Sequence, residues 1–243
     1  MNGYRKELKF IVGDDVLLDV RNRISGMMMY DLHQCGDHYR IRSIYFDSPD
    51  LRCYNENMSG VSPREKYRIR TYDCGADPIM AEIKIRHRDT ISKMSMRIGK
   101  DLLNALVSAD RQNAYDILMN IIQESPDDKT AEKRVAEKYL SKIMTGYEPV
   151  CIVDYERSAY VYDIGNVRIT FDRNISASRQ MNRFFDPKLI GESVLNSNMH
   201  VLEVKYDEFL PDEIEAVLAG MHLTRSSCSK YALSVKRLTE GLI

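Results

Sequence analysis

The chain has 243 residues, of which 44% are hydrophobic and 29% are charged, and its formal net charge at pH 7 is −1. This length suits one large domain or two small ones, with enough apolar residues for a core. The balanced charge disfavours a general nucleic-acid binder, which carries a basic surplus, and no apolar run reaches the roughly 18 residues that a bilayer requires.

Alternation of charged and apolar residues with a period of two predicts eight β-strands. In chain order these strands cover residues 5–12, 38–47, 64–72, 79–87, 91–98, 151–163, 167–173 and 200–207. Turn-forming residues join several neighbours, as at 73–75 and at Gly165-Asn166. Such short turns favour hairpins, so we expect an antiparallel sheet.

Helical spacing of apolar residues occurs between the predicted strands. The predicted helices cover residues 14–27, 101–123, 132–144, 211–221 and 231–238. The stretch 124–128, which contains Pro126, separates the helices on either side of it. Since no repeat or linker divides the chain, we predict a single domain over residues 1–243. Its helices at about 101–144 form an insertion between the fifth and sixth strands.

The five cysteines are scattered and none belongs to a CxxC pair, which is typical of reduced thiols and not of a disulfide framework or a zinc site. The first ten residues, MNGYRKELKF, contain no signal-peptide apolar stretch. We therefore expect a cytoplasmic protein with no membrane span of its own.

The stretch SPREKYRIRTY at 62–72 has an unusual charge pattern. It places Arg64, Lys66, Arg68 and Arg70 at every second position, with apolar residues in between. In a β-strand all four cations lie on one face. Because like charges on one face repel each other, the row indicates an anionic ligand opposite it. Arginine suits this role, since its planar fork matches phosphate and carboxylate oxygens.

Charged residues alternate in the same way on other predicted strands. The combined charged face has nine cations, which are Lys9, Lys66, Arg68, Arg70, Lys84, Arg86, Arg157, Arg168 and Lys205. Its four acids are Glu7, Glu82, Asp172 and Glu203. An ordinary sheet with its polar face in water explains any single strand. The dominance of Arg, Lys and Glu over several strands favours a shared charged interior instead.

About eight strands can close into a barrel that holds a small ligand. We therefore predict an α+β fold in which an eight-stranded antiparallel barrel has a charged interior and helices coat its apolar outside. An excess of desolvated cations is costly unless anions fill it. A chain of phosphates fits this interior, and the carboxylates would hold a divalent cation that bridges phosphate oxygens.

Eight motifs occur in an order that resembles the VTC domain, the polyphosphate polymerase branch of the triphosphate tunnel metalloenzymes. The motifs are RKELKF (5–10), RSIYFDS (42–48), REKYRIRTY (64–72), AEIKIR (81–86), YERSAY (155–160), VRITFD (167–172), LEVKYD (202–207) and SKYALS (229–234). The resemblance implies an eight-stranded tunnel that binds phosphate chains and transfers the γ-phosphate of ATP to polyphosphate with Mn²⁺ or Mg²⁺.

The resemblance also suggests roles for single residues. Glu203 would hold the metal, with Glu7 or Glu82 as further ligands, and Lys230 would lie near the entrance or exit of the chain. The residues expected to hold the reacting phosphates are Arg68, Arg70, Arg157 and Arg168. The residues expected to bind the rest of the phosphate chain are Lys9, Lys66, Lys84, Arg86, Lys205 and Lys230.

Two departures from the family pattern affect the interpretation. The hydrolytic branch begins with ExExK, whereas this sequence has Arg5, Glu7 and Lys9 at those positions, which favours the polymerase branch over a triphosphatase. The eukaryotic polymerases carry a regulatory helical domain and membrane spans that are not in this sequence. Regulation, and any export of product, would then either need other subunits, among them a membrane partner, or not exist.

Two other functions stay open at this point. A hydrolase of inorganic triphosphate or nucleoside triphosphates could use the same scaffold, and so could a polyphosphate-binding module without turnover. Binding and polymerisation use the same cations, so the sequence does not separate them. The sequence contains neither a P-loop nor a GxGxxG motif after a strand.

Overall fold

A computed structural model describes residues 5–240 of the chain, except for residues 33, 89, 126–129 and 222. Within these residues the chain forms ten β-strands, which follow the period-two alternation of the sequence. They are β1 Arg5–Gly13, β2 Met29–Tyr30, β3 Tyr39–Asp47, β4 Arg64–Tyr72, β5 Ile79–His87, β6 Thr90–Ile98, β7 Glu148–Tyr162, β8 Val167–Ser178, β9 Glu192–Ser193 and β10 Met199–Tyr206.

Eight of these strands close into an antiparallel barrel. Their order is β7-β3-β4-β5-β6-β1-β10-β8, and β8 pairs again with β7. The short strands β2 and β9 pair with β7 and β8 and are not needed for closure. The predicted α+β fold with an eight-stranded antiparallel barrel is confirmed.

The β1–β6 seam is the shortest ladder of the barrel in the described part of the chain. It contains the two pairs Arg5↔Ile91 and Lys6↔Thr90, whereas β1 pairs with β10 over the whole stretch from Lys6 to Gly13. Further along β1, residues 225–226 pair with this strand in place of β6. Ser226 N donates to Lys9 O at 2.8 Å, and Phe10 forms a bridge with Arg225.

Seven α-helices in the described residues surround the barrel. They are α1 Asp14–Ile24, α2 Arg52–Met58, α3 Lys100–Val107, α4 Arg111–Glu124, α5 Ala131–Met144, α6 Asp212–Ala219 and α7 Lys230–Glu240. α1 and α6 cover the apolar outer faces of β1, β8 and β10, and α3, α4 and α5 cover those of β3 to β6. None of these helices is long and apolar enough to cross a membrane.

The prediction of one helix over residues 101–123 is wrong, because two helices, α3 and α4, occupy this stretch. Ala109 adopts a positive φ of 56°, and the Asp110 side chain accepts a hydrogen bond from Asn113 N at 3.2 Å. This carboxylate caps the start of α4 and stabilises a helix that begins at this point. The predicted interruption at 124–128 lies partly outside the described residues.

The sequence pattern also misses α2. Asp47, at the end of β3, accepts hydrogen bonds from Cys53 N at 2.8 Å and Tyr54 N at 3.0 Å. Tyr231 of α7 donates to the same carboxylate. A cap supplied from a neighbouring strand satisfies the free N–H groups at the start of a helix, but leaves no periodic signal in the helix itself.

The outward apolar residues of β4 lie in the main core. Ile69 is fully buried, and the Tyr67 ring packs edge-to-face on Tyr139 and Tyr147. We expect Ile69→Ala to lower the free energy of unfolding by about 2–5 kcal/mol, because it leaves a cavity in a packed core. Urea unfolding would measure this as a lower midpoint with an unchanged slope.

Ile190→Ala is the matched control, since Ile190 is 84% exposed. We expect this variant to stay within about 0.5 kcal/mol of the wild type. Equal losses in the two variants would contradict the assignment of the outward face of β4 to the core.

Candidate functional site

The charged faces of the strands point into the barrel, as predicted. β1 and β10 place Glu7 opposite Lys205 and Lys9 opposite Glu203. Two cavities fill the interior, and both are lined by Glu7, Arg68, Arg70, Lys84, Ile91, Arg157 and Lys205. Because the cavities share these residues, they adjoin inside the barrel, and we refer to them together as the tunnel.

Glu203 is surrounded by cations inside the tunnel. Its Oε1 accepts a hydrogen bond from Lys230 Nζ at 2.8 Å and lies 3.1 Å from Lys9 Nζ. Its Oε2 lies 3.5 Å from Lys205 Nζ and 3.7 Å from Arg157 Nη2. The carboxylate is 4% exposed, so these four cations replace the water that it loses on burial.

Glu7 shares two of these cations. Lys9 Nζ lies 3.4 Å from Glu7 Oε2, and Lys205 Nζ lies 3.4 Å from Glu7 Oε1. Lys84 Nζ donates to Glu7 Oε1 at 3.1 Å. Because Lys9 and Lys205 contact Glu203 as well, the two carboxylates belong to one cluster.

Asp172 fixes the position of Arg157. Arg157 Nε and Nη2 donate to its two oxygens at 2.6 and 2.7 Å, a bidentate pair. Lys230 Nζ lies 2.5 Å from Asp172 Oδ2. Lys230 therefore bridges Asp172 and Glu203, and the first turn of α7 completes this end of the cluster.

Glu82 lies in a separate cluster. Arg68 Nε and Nη2 lie 2.8 and 2.7 Å from its Oε2, and Lys93 Nζ donates to its Oε1 at 2.8 Å. Arg70 Nε is 3.7 Å from the same carboxylate. Arg68 also donates to Tyr45 Oη at 3.1 Å. In the described residues, none of the cations around Glu82 contacts Glu7 or Glu203.

Lys66 has only neutral partners among the described residues. Its Nζ donates to Asn57 Oδ1 at 2.7 Å and to Ser229 Oγ at 2.6 Å. In the β4–β5 ladder Lys66 stands directly opposite Lys84. Like charges that face each other across two strands destabilise the sheet, so this position favours a bound anion.

The structure places Arg168 and Arg86 towards the ends of the tunnel. Arg168 Nε and Nη2 lie 2.9 and 2.8 Å from Asp31 Oδ2, and Nη2 also donates to Tyr39 Oη at 3.1 Å. Arg86 Nε donates to Arg88 O at 2.9 Å. Both residues line the tunnel, but neither contacts the Glu203 cluster in the described residues.

Burial and like charges shift the titration of the tunnel residues. Burial, opposed by Glu7 and assisted by Lys9 and Lys205, lowers the pKa of Lys84 to about 7. Burial and the charges of Lys84 and Lys9 lower the pKa of Lys66 well below that of an ordinary lysine. Burial alone would raise the pKa of Glu203, but Lys230 and its other cations lower it well below its usual range.

The acids of the tunnel fit a divalent metal only with help from a ligand. No group of three or more His, Cys, Asp or Glu side chains in the described residues is arranged to hold a metal. Glu7 and Glu203 supply carboxylate oxygens in one cluster, which suits Mg²⁺ or Mn²⁺ when phosphates complete the coordination. The assignment of Glu82 as a third ligand stays a prediction.

The VTC domain family matches the sequence over residues 4–239. The chain belongs to this family. No curated protein gave a match to the sequence.

Solved structures are similar to this VTC domain at low sequence identity. A candidate adenylate cyclase from Bacillus halodurans is 11% identical over 93% of this chain and 95% of its own, with a TM-score of 0.51. A candidate adenylate cyclase from Vibrio parahaemolyticus is 14% identical over 96% and 98%, with a TM-score of 0.48. A protein from Pyrococcus horikoshii OT3 is 17% identical over 96% and 99%, also with a TM-score of 0.48.

Several tunnel residues are not among the residues predicted from the sequence. Tyr45 Oη accepts a hydrogen bond from Arg68, and Asn57 Oδ1 accepts one from Lys66. Lys230 Nζ lies over the ring of Tyr155, 5.0 Å from the ring centroid. The alternation of RSIYFDS places Tyr45 on the inward face and could have indicated it. Asn57 lies on α2 and has no corresponding signal.

The lowered lysine pKa values predict proton uptake when a phosphate chain binds. Anionic phosphates raise the pKa of Lys66 and Lys84, so both lysines gain protons when the chain binds, and Lys84 does so above about pH 7. Tripolyphosphate affinity should therefore fall as the pH rises above about 7. Calorimetry at about pH 8.5, in buffers of different ionisation enthalpy, would measure the number of protons taken up.

The matched control is the double variant Lys66→Arg/Lys84→Arg, because arginine keeps its charge at every pH of the experiment. We expect it to bind tripolyphosphate with little proton uptake. Uptake equal to that of the wild type would assign the titration to groups other than these two lysines.

Proposed function

We propose that this VTC domain is a polyphosphate polymerase that transfers the γ-phosphate of ATP to the end of a polyphosphate chain inside the tunnel. The main support is the cationic interior, in which the acids are already engaged by ion pairs. Lys66, which stands opposite Lys84 in the β4–β5 ladder, has only neutral partners among the described residues. Such an interior needs a polyanion for electrostatic balance. The VTC family includes the catalytic domains of polyphosphate polymerases.

The transfer needs little covalent chemistry from the protein. A terminal oxygen of the acceptor phosphate attacks the γ-phosphorus and forms the new bridging P–O bond. The bond from the γ-phosphorus to the β–γ bridging oxygen breaks, and its electron pair leaves with ADP. Catalysis then depends on holding the two ligands in line and on balancing the charge of the transferring group.

The arginines of the tunnel are suited to both tasks. Glu82 holds Arg68 by two nitrogens, and Asp172 holds Arg157 by a bidentate pair. Preorganised donors stabilise a transition state without reorganisation during the reaction. We assign to Glu82 and Asp172 the positioning of these arginines, and to Arg68, Arg70 and Arg157 the binding of the reacting phosphates. Arg168 would hold a more distant phosphate, once it exchanges Asp31 for that ligand.

Lysines form the rest of the phosphate track. Lys9, Lys84 and Lys205 surround Glu7 and Glu203, and Lys66 continues the row along β4. A divalent ion would be held by Glu203 and Glu7 together with phosphate oxygens, and it would neutralise charge on the donor phosphates when bound. In place of the first acid of ExExK, Arg5 lies 3.0 Å from Asp207, away from this cluster.

The products of ATP turnover test the proposal. Pure protein with ATP and Mn²⁺ should release ADP and form acid-stable phosphate chains, with little free phosphate. Stoichiometric free phosphate from ATP or tripolyphosphate, without chains, would show a hydrolase. Tight binding of tripolyphosphate without turnover of either substrate would show a binding module.

Arg68→Ala should lower kcat by roughly ten- to a thousandfold, because it removes a donor set aimed at the transferring phosphate. Arg68→Lys should recover only part of this loss, since lysine lacks the planar fork. Steady-state kinetics with ATP would measure both variants. Arg97→Ala is the control, since that side chain is 67% exposed on β6. A similar decrease in kcat for the control and Arg68→Ala would contradict the assignment of Arg68 to the reacting phosphates.

Glu203→Gln should raise the Mn²⁺ concentration needed for half-maximal turnover, because the amide keeps the shape and loses the charge that attracts the ion. Metal-free tripolyphosphate binding should persist, since the four cations around Glu203 remain. Glu56→Gln, on the outer helix α2, is the matched control. An unchanged Mn²⁺ titration in Glu203→Gln would exclude Glu203 as a ligand.

A further inference from the structure

Lys66 differs in its partners from the lysines around Glu7 and Glu203. Its Nζ contacts Asn57 Oδ1 at 2.7 Å and Ser229 Oγ at 2.6 Å. In the part of the chain that the structure describes, no carboxylate lies within ion-pair distance of this nitrogen. The lysines that do contact Glu7 or Glu203 are Lys9, Lys84, Lys205 and Lys230. Lys66 therefore lacks the charged partner that favours the ammonium form of a buried lysine.

The hydrogen bonds of Lys66 match those of an uncharged amine. An ammonium group has three N–H donors, whereas an amine has two donors and a lone pair. Asn57 and Ser229 supply two acceptors, and no third acceptor lies within hydrogen-bond distance of Lys66 Nζ among the described residues. A neutral Lys66 thus satisfies both partners and keeps its lone pair.

Cations surround this amine. Lys84 stands opposite Lys66 in the β4–β5 ladder, and Lys9 and Arg64 line the same cavity. Burial and these cations lower the pKa of Lys66 well below that of an ordinary lysine, and the Cys53 thiol on α2 opposes them. Desolvation or a second cation activates a lysine as a nucleophile in the same way. Since Lys66 is only partly buried and lines the cavity, a small reagent can reach it.

The surroundings also determine which electrophile reaches Lys66. A cleft lined by cations raises the local concentration of anions, so a reagent with a phosphate group is favoured over a neutral one. An acyl phosphate has an anion at one end and an activated carbonyl carbon at the other. Arg64 on the same face of β4 and Lys84 on β5 are placed to hold the phosphate end.

We propose that Lys66 is an acylation site, at which an acyl phosphate drawn into the tunnel transfers its acyl group to Nζ and so removes a cation from the phosphate track. The nitrogen attacks the carbonyl carbon and forms the amide bond. The bond from this carbon to the bridging oxygen breaks, and its electron pair leaves with inorganic phosphate, which takes up the proton that the nitrogen loses. The amide carries no charge, so acylation weakens the binding of phosphate chains.

Acetylation by acetyl phosphate, measured at single lysines by mass spectrometry, tests this site. Lys66 should react at least about tenfold faster than Lys236, because the tunnel concentrates the anion. Lys236, whose side chain is 56% exposed on α7, reports ordinary surface reactivity. Excess tripolyphosphate should prevent acetylation of Lys66 and leave that of Lys236 unchanged. With a neutral acetyl ester the ratio of the two rates should fall, since the ester is not concentrated in the tunnel.

Asn57→Asp tests the importance of the missing carboxylate. The new carboxylate favours the ammonium form of Lys66 and should slow its acetylation by at least about tenfold, the effect of one pKa unit on the neutral fraction. The neutral ester should show the same decrease, which separates it from repulsion of the anionic reagent. Asn55→Asp, which adds the same charge on the exposed side of α2, is the matched control. An unchanged rate in Asn57→Asp would contradict the proposal.

The effect of the modification on binding is a separate measurement. Protein acetylated at Lys66 should bind tripolyphosphate about tenfold more weakly than untreated protein, since one charge-assisted contact is lost. Lys66→Gln should bind as weakly as the acetylated protein, and treatment with acetyl phosphate should weaken it no further. This variant thus separates acetylation at Lys66 from acetylation of the other lysines.

Equal acetylation rates at Lys66 and Lys236, or no protection by tripolyphosphate, would overturn the proposal. Unchanged tripolyphosphate affinity after complete acetylation of Lys66 would overturn it as well. The inference rests on the proposed function only in that the tunnel binds phosphates. Wild-type protein that does not bind tripolyphosphate would refute both, whereas protein that binds it without a preference for Lys66 would refute the acylation site alone. Hydrolysis in place of polymerisation would refute the polymerase and leave the acylation site standing.

Discussion

Balance of buried positive charge is the constraint on which the rest of this structure depends. Desolvated cations raise the energy of the fold unless carboxylates or a ligand lie close to them. Glu203, Glu7, Asp172 and Glu82 each contact two or more cations, and so the acids hold the lysines and arginines in fixed positions. Among the described residues, Lys66 has only neutral partners, and under the proposed function its charge would attract the polyanion.

This interior determines the outside of the molecule. Since the strands turn their charged faces inward, their apolar faces must be covered by other elements, which explains helices on both sides of the barrel. α7 has a second role as well. Its first residue, Lys230, reaches Asp172 and Glu203, while Tyr231 binds Asp47, the cap of α2. The charged cluster and two of the covering helices are thus connected through consecutive residues.

The period-two pattern was sufficient to predict the barrel and its inward faces, because a side chain's face on a strand follows from its position alone. The contact of Arg68 with Glu82 was not predicted, although the two residues are partners in the β4–β5 ladder. Contacts between distant strands were not predictable. Such contacts depend on how the barrel closes and where its loops return. Examples are the sharing of Lys9 by Glu7 and Glu203, the pairing of Arg168 with Asp31 and the capping of α2 by Asp47. The break between α3 and α4 depends on one local cap at Asp110, which competes with helical periodicity.

The closed ladder has a topological consequence for any long ligand. A linear polymer that lies through the tunnel is encircled by eight strands, so it can leave only by sliding along its own axis or after the β1–β6 seam separates. That seam has two ladder pairs in the described residues, supported by the segment at Ser226. Dissociation by sliding takes longer for longer polymers, because more subunits must pass the same cations. For the proposed polymerase, encirclement would retain the polymer between successive additions, even where each single contact is weak.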